Sequence, residues 1–193
     1  VVTGATGHIG NTVARVLCGE HRDVILIVRR ADDEAITGLD AKQAVGSFCD
    51  PNFLCRLLTD DDIVIHCAGM IAITDENADE VMRVNYEGTK ALADVCVQKQ
   101  VKKFVYISSV DAICKPDGCS PITEPTAFFP EKLGDTYGKS KAMATEYIFN
   151  LAEEGKLNAS VAYPTAVIGP YDFKISNVGQ VILDFITEKP LAR

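Results

Sequence analysis

Val1-Val2-Thr3-Gly4-Ala5-Thr6-Gly7-His8-Ile9-Gly10 opens the chain. Two valines and a threonine read as the end of a strand. Three glycines at three-residue spacing then make a turn, and Ile9 begins a helical apolar pattern running to about Cys18. Each glycine has a physical use. Gly4 allows a tight exit from the strand, Gly7 lets the backbone approach a pyrophosphate with no β-carbon between, and Gly10 lets the helix pack closely on the sheet. The helix start offers unpaired N–H groups and the positive end of its dipole, so Thr6, Gly7, His8 and Ile9 are candidate phosphate contacts. The spacing is G-x-x-G-x-x-G, not the dinucleotide fingerprint G-x-G-x-x-G. Glycine-rich turns also occur for structural reasons. The strand before this one and the helix after it favour the phosphate reading.

Outward from the turn the chain alternates strand and helix. Val24 to Val28 is a continuous apolar run, as in a strand covered on both faces. Residues 43–48 form a weaker strand. Pro51 starts a helix whose apolar face is Phe53, Leu54, Leu57 and Leu58. Asp62 to Cys67 is another buried strand, and a long helix runs from about Asn77 to Lys99. Lys103 to Ser108 is a strand, residues 111–134 a loop rich in proline, and a helix carrying Tyr137 extends to about Glu154. Ala159 to Tyr163 is a strand and Val178 to Thr187 a helix. This alternation predicts an α/β fold, a doubly wound parallel sheet of about six or seven strands with helices on both faces. No repeat or low-complexity segment interrupts it.

Tyr137 and Lys141 stand four residues apart in Tyr137-Gly138-Lys139-Ser140-Lys141. On a helix they share a face, so phenol and ammonium can point into one cleft. A free phenol, with a pKa near ~10, is a poor acid or base at neutral pH. A cation beside it favours the phenolate. Alone, the pair reads as ordinary surface residues; with the glycine turn upstream it reads as a proton-transfer site.

Composition sets the class. The chain has 193 residues, enough for one sizeable core, with 47% hydrophobic and 24% charged residues. A formal charge of −8 with no basic cluster argues against a nucleic-acid partner. No apolar stretch is long enough to span a membrane, and an opening strand and glycine turn do not read as a secretion signal. The seven cysteines (18, 49, 55, 67, 96, 114, 119) are odd in number and scattered, with no Cys-x-x-Cys. They suit buried free thiols in a reducing, cytoplasmic compartment. Cys114 and Cys119 flank a Pro-Asp-Gly turn and are read as loop thiols; no metal site is expected. Val1-Val2-Thr3 reads as the tail of a longer strand, and Lys189 to Arg193 follows a helix with no closing element. A domain-sized piece of a longer protein is therefore expected.

The glycine turn together with Tyr137-x-x-x-Lys141 resembles the extended short-chain dehydrogenase/reductase family, the NAD(P)-dependent epimerase/dehydratase superfamily. Within it, the chain is most similar to the dihydroflavonol reductase and 3β-hydroxysteroid dehydrogenase branch. Other segments match in order over nearly the whole chain. His66-Cys67-Ala68-Gly69 resembles the turn after strand four that lies along the cofactor, and Asn85 in Val-Asn-Tyr-Glu-Gly-Thr the family's helix asparagine. Ser108-Ser109 ends strand five where the family carries a catalytic Ser or Thr. Tyr163-Pro164-Thr165 and Gly169-Pro170 resemble the segment that closes over the nicotinamide.

The resemblance implies a Rossmann-type domain across residues 1–193, with most of a C-terminal substrate lobe missing. It implies that Tyr137 exchanges a proton with the substrate oxygen while hydride moves to or from the nicotinamide. Lys141 would hold the ribose hydroxyls and lower the Tyr137 pKa. A serine would hydrogen-bond the substrate oxygen, Ser109 by alignment and Ser108 as the fallback. Two departures bear on the cofactor. Where many NAD-using members carry an acidic residue after strand two, this chain has Val28 followed by Arg29-Arg30. A guanidinium suits a 2′-phosphate, which favours NADP(H). NAD(H) stays possible, since Asp32 or Asp33 can reach the ribose and the arginines can be surface charge. Where the family has an aspartate against adenine, this chain has Ser47, followed by Phe48; Asp50 is read as structural.

Three classes follow: an NADP-dependent carbonyl reductase or alcohol dehydrogenase, a nucleotide-sugar epimerase or dehydratase retaining NAD, and a non-catalytic dinucleotide sensor. Arg29 leans toward the first, and the Ser, Tyr and Lys set argues against the third. The 77–99 and 136–153 helices carry surplus apolar residues (Val81, Val84, Ala91, Ala142, Met143, Tyr147), and a homodimer through a four-helix interface is expected, as the resemblance also implies.

Overall fold

A computed structural model describes residues 1–71, 77–115, 121–125 and 127–187. Six parallel strands run in the order β3-β2-β1-β4-β5-β6: β1 Val2–Thr3, β2 Ile25–Val28, β3 Lys42–Val45, β4 Ile63–His66, β5 Lys103–Ile107 and β6 Ala159–Ala162. The chain winds outward from β1 one way through β2 and β3, then the other way through β4, β5 and β6. The order therefore reverses beside β1, where a crevice opens at the carboxyl ends of β1 and β4. This is the doubly wound parallel sheet expected from the alternating pattern.

The helices are α1 His8–Gly19, α2 Pro51–Leu57, α3 Ala78–Met82, α4 Thr89–Lys99, α5 Thr136–Glu153 and α6 Asn177–Ile186. Pro51 opens α2, and the Asp50 carboxylate caps it by accepting the Asn52 and Phe53 amides. One core lies between the sheet and α2, α4 and α5, built on Leu54, Leu92, Phe104, Tyr106 and Ile148; the other joins Val2, Leu26, Val28 and Ile36 to Ala14 of α1.

Three expectations change. The long 77–99 helix is interrupted by a π-helical turn, Arg83–Gly88, which turns Asn85 inward. The Asp62–Cys67 run is covered only from its second strand residue on: Val64 packs into one core and half-buried Ile65 against the other, while Ile63 at the start of β4 is 47% exposed. Of the described cysteines only Cys96 is buried; Cys18, Cys49, Cys55, Cys67 and Cys114 are half-buried free thiols, and Cys119 lies outside the described residues, as do residues 188–193. No helix among the described residues is long and apolar enough to cross a membrane.

Candidate functional site

A cleft of about 700 Å³ lies over the carboxyl ends of β1, β4 and β5. Gly4, Gly7, His8, Ile9 and Gly10 line one end; Ser108, Ser109, Tyr137 and Lys141 line the other, with Cys67 and Gly69 between. The glycines have different causes. Gly4 has φ +74°, and a β-carbon there would come within 2.6 Å of the Ala68 nitrogen. A β-carbon at Gly10 would overlap the Gly4 carbonyl, so this glycine packs the helix against the turn itself. At Gly7 the nearest atom to such a carbon is the Gly4 oxygen at 3.4 Å, an ordinary contact. Nothing in the protein demands glycine at 7, and the exposed face of the turn there is open to a ligand. The residues therefore fit a dinucleotide pyrophosphate at the start of α1.

At the far end, β5 delivers the serines and α5 the other two side chains. Ser108 and Ser109 go different ways. Ser108 Oγ is 2.7 Å from Thr145 Oγ1, inside the protein. Ser109 lies beside the Tyr137 phenol, accepts from the Asp111 amide at 3.2 Å and donates to Asp111 Oδ2 at 3.3 Å. Ser109 is thus both the cap of the 110–112 turn and the hydroxyl beside the phenol. Lys141 is 4% exposed; its ammonium donates to the Ile107 carbonyl at 2.9 Å and lies 4.8 Å over the Tyr106 ring. Burial lowers the Lys141 pKa to about 8, against a smaller opposing pull from Cys67.

The Tyr137 pKa moves opposite to expectation. Burial raises it most; the Ser109 hydrogen bond lowers it, while the carboxylates of Asp111 and Asp135 raise it further. Neither aspartate figured in the sequence reading. Asp135 caps α5 by accepting the Gly138 amide at 2.7 Å, a position legible from the helix-start pattern. Asp111 gave no comparable signal.

Several residues expected on the cofactor do not line the cleft. Asn85 is buried; its Oδ1 accepts from the Met70 amide at 2.7 Å, and its Nδ2 donates to the Met70 carbonyl and Ser140 Oγ. It braces the turn after β4 against α5. Ala68 is bound through its amide to Thr3 Oγ1 at 3.2 Å. Exposed Ser47 accepts from the Cys49 amide, and Phe48 packs its ring 4.9 Å from His66. Tyr163 is half-buried, its pKa pushed up to about 12 by burial and then by Glu124, whereas Pro164 and residues 165–167 line the cleft. Thr6 and Arg29 line a second pocket of about 290 Å³ with Arg30, Asp33 and Lys174. Lys174 and the 176–178 stretch of the cleft wall carried no sequence signal, because the segment has no periodicity.

A reversing parallel sheet with a glycine turn at the switch point defines a dinucleotide-binding protein of the Rossmann type. The model of the NAD dependent epimerase/dehydratase family matches residues 1–189, and the chain belongs to this family, in the extended short-chain dehydrogenase/reductase class. It is 33% identical over 187 residues to sterol demethylase protein B of Methylococcus capsulatus, covering 96% of this chain and 56% of that protein. It is 29% identical over 188 residues to a putative dihydroflavonol 4-reductase of Synechocystis, covering 96% and 54%. The crystal structure of gox2253 superposes with a TM-score of 0.89 at 33% identity, over 100% of this chain and 58% of that one. The chain thus spans little more than half the length of these relatives. The dihydroflavonol reductase branch expected from the sequence is represented by the Synechocystis protein.

Proposed function

We propose that residues 1–193 form the NAD(P)-binding domain of a cytoplasmic oxidoreductase acting on a carbonyl or secondary-alcohol substrate, with NADP(H) preferred. The observation that carries this reading is one cleft with Gly7 and Gly10 at one end and Ser109, Tyr137 and Lys141 at the other. When bound, the nicotinamide supplies or accepts the hydride. The turn and the start of α1 hold the pyrophosphate, and Lys141 holds ribose hydroxyls. Tyr137, with its proton retained by burial and by Asp111 and Asp135, donates to a substrate oxygen; Ser109 orients that oxygen. Relatives named for sterols and dihydroflavonol support a ring-borne ketone or alcohol.

The test is Tyr137→Phe in the full-length protein, assayed with such ketones and NADPH. Turnover is expected to fall at least ~100-fold with nucleotide affinity unchanged. Near-normal turnover would remove Tyr137 from the role.

The NADP preference rests on Arg29 and Arg30 in the second pocket. It is worth roughly 1–2 kcal/mol, the scale of one charge-assisted hydrogen bond, and Arg29→Ala should remove most of it. The second reading is an epimerase or dehydratase with retained NAD. Asp33 in the same pocket favours it, as a ribose-hydroxyl acceptor. Nucleotide that survives purification as NAD would select it. A homodimer through the 77–99 and 136–153 helices completes the proposal. Val81 and Ala142 are already buried within the chain, leaving half-buried Val84, Ala91, Met143 and Tyr147 to carry the interface.

A further inference from the structure

The second pocket is assembled from three separate segments. Thr6 comes from the glycine turn, Arg29, Arg30 and Asp33 from the end of β2 and the loop after it, and Lys174 from the segment after β6. Three cations face one carboxylate in a chain whose formal charge is −8. None of the three is ion-paired to a described residue. Asp33 already spends one oxygen on the Ala35 amide, at 3.1 Å. Three cations against one carboxylate around a space of about 290 Å³ leave an excess of positive charge, and a multiply charged anion complements it.

The same three segments are tied together underneath. Buried Asn11 donates to the carbonyls of Ala5, in the glycine turn, and Ala35, in the loop after β2, at 2.8 and 2.6 Å. Its Oδ1 accepts from Arg15 Nε at 2.8 Å, and Arg15 Nη2 donates to the Ala35 carbonyl at 3.1 Å. The guanidinium so fixed lies 4.3 Å from the Tyr171 ring centre and 5.8 Å from that of Phe173, which clamps the segment after β6 onto α1. Tyr171 and Ile175, at φ 71° and 30°, bend the backbone on either side of Lys174. Asp172 ties the segment's end by accepting from the Ser176 amide and hydroxyl at 2.8 and 2.7 Å. The backbone that carries exposed Lys174 is thus anchored on either side of it.

We propose that Lys174 is a specificity-determining residue for the dinucleotide: it closes on the adenosine 2′-phosphate as a third cation, opposite Arg29 and Arg30. This rests on the NADP reading above and extends it to a residue across the cleft. It makes the segment after β6 a strap that contacts both ends of the nucleotide, through residues 164–167 at the reacting end and Lys174 at the adenosine end.

Calorimetric titration with 2′,5′-ADP and with 5′-AMP, which differ only in the 2′-phosphate, tests this without turnover. The unmodified chain should bind 2′,5′-ADP at least ~10-fold more tightly. Lys174→Ala should weaken 2′,5′-ADP about tenfold and 5′-AMP less than about twofold, with Lys174→Arg restoring most of the loss. Tryptic cleavage after Lys174 should slow in 2′,5′-ADP and not in 5′-AMP. Equal affinities in the unmodified chain overturn both the NADP reading and the role of Lys174. A preference abolished by Arg29→Ala and untouched by Lys174→Ala overturns the role of Lys174 alone. Equal weakening of both nucleotides by Lys174→Ala also overturns it, because the lysine then serves the 5′-phosphate or the fold of the strap.

Discussion

Acidification should loosen the floor of the cleft through one histidine. His66 ends β4 with no exposed surface; its Nδ1 lies 2.6 Å from Thr3 Oγ1 and its Nε2 2.9 Å from Thr89 Oγ1. Thr3 Oγ1 also accepts the Ala68 amide at 3.2 Å. A hydroxyl that accepts one N–H has its own proton left to give to Nδ1, so the ring fits as the neutral tautomer protonated at Nε2. Charging it would make Nδ1 a second donor to Thr3 Oγ1, whose hydroxyl would have to turn its own proton elsewhere. Burial, and secondarily the Lys141 ammonium, lower the His66 pKa to about 3 from 6.5. A base with a depressed folded pKa leaves stability intact above the unfolded value and removes it as pH falls below that value. The window is therefore pH 6.5 down to about 3. At pH 5 the unfolded chain has gained its proton 1.5 pH units below its midpoint while the folded chain has not, which costs about 2 kcal/mol at 1.36 kcal/mol per unit. That is a large share of the ~5–15 kcal/mol that holds a domain folded. Urea unfolding followed by circular dichroism at pH 7.5 and pH 5, on the unmodified chain and on His66→Gln, isolates the histidine from the carboxylates. The unmodified chain should lose about 2 kcal/mol more than the variant between the two pH values. Matching losses, within about 0.5 kcal/mol, would mean that His66 is not the group that titrates.

The two glycines at the mouth of α1 should separate binding from folding. Gly7→Ala, with φ −101° and only an ordinary contact with the Gly4 oxygen for its methyl, should leave the melting temperature nearly unchanged while weakening nucleotide binding at least ~10-fold. Gly10→Ala should destabilise by at least ~2 kcal/mol by driving its methyl into the Gly4 carbonyl. If Gly7→Ala binds normally in a titration, the turn does not hold the phosphates. Lys141→Met should raise stability at pH 7 by about 1–2 kcal/mol, since relieving a pKa depressed by roughly 2.5 units outweighs the lost bond to Ile107. The same variant should bind nucleotide less well, and a lower denaturation midpoint would contradict the cost assigned to burying the ammonium. The unmodified chain should also gain stability between pH 8 and 10.5, where only the unfolded state keeps that proton. Light scattering across micromolar concentrations should give the mass of a dimer; a monomer throughout would rule out pairing through the 77–99 and 136–153 helices.

The parts of the fold that could be read from the sequence are those where local chemistry and burial agree. The apolar run at 24–28, the spaced glycines and the Asp50-Pro51 helix start each name their element without help from elsewhere, and each sits where expected. The π turn at 83–88 was invisible because one extra residue in a helix barely disturbs an apolar pattern. Its cause is a tertiary one, the pairing of Asn85 with Met70 across the cleft floor. The strap fails for a related reason: Arg15 holds Tyr171 and Phe173 by stacking, which leaves no period in the sequence.

The serine pair shows where a motif stops and geometry begins. Side chains of adjacent residues at a strand end leave on opposite sides. Ser108 follows Phe104 and Tyr106 into the core and meets Thr145, so Ser109 is left facing the phenol. The charge balance at Tyr137 lies further still from the sequence. The motif suggests that Lys141, one turn along α5, governs the phenol. In three dimensions Lys141 turns to the Ile107 carbonyl and the Tyr106 face, while Asp111 and Asp135 approach the phenol from the loops. Burial therefore shifts both groups toward their neutral forms, the lysine down and the tyrosine up. A phenol that keeps its proton through neutral pH can donate it, and that suits carbonyl reduction better than alcohol oxidation.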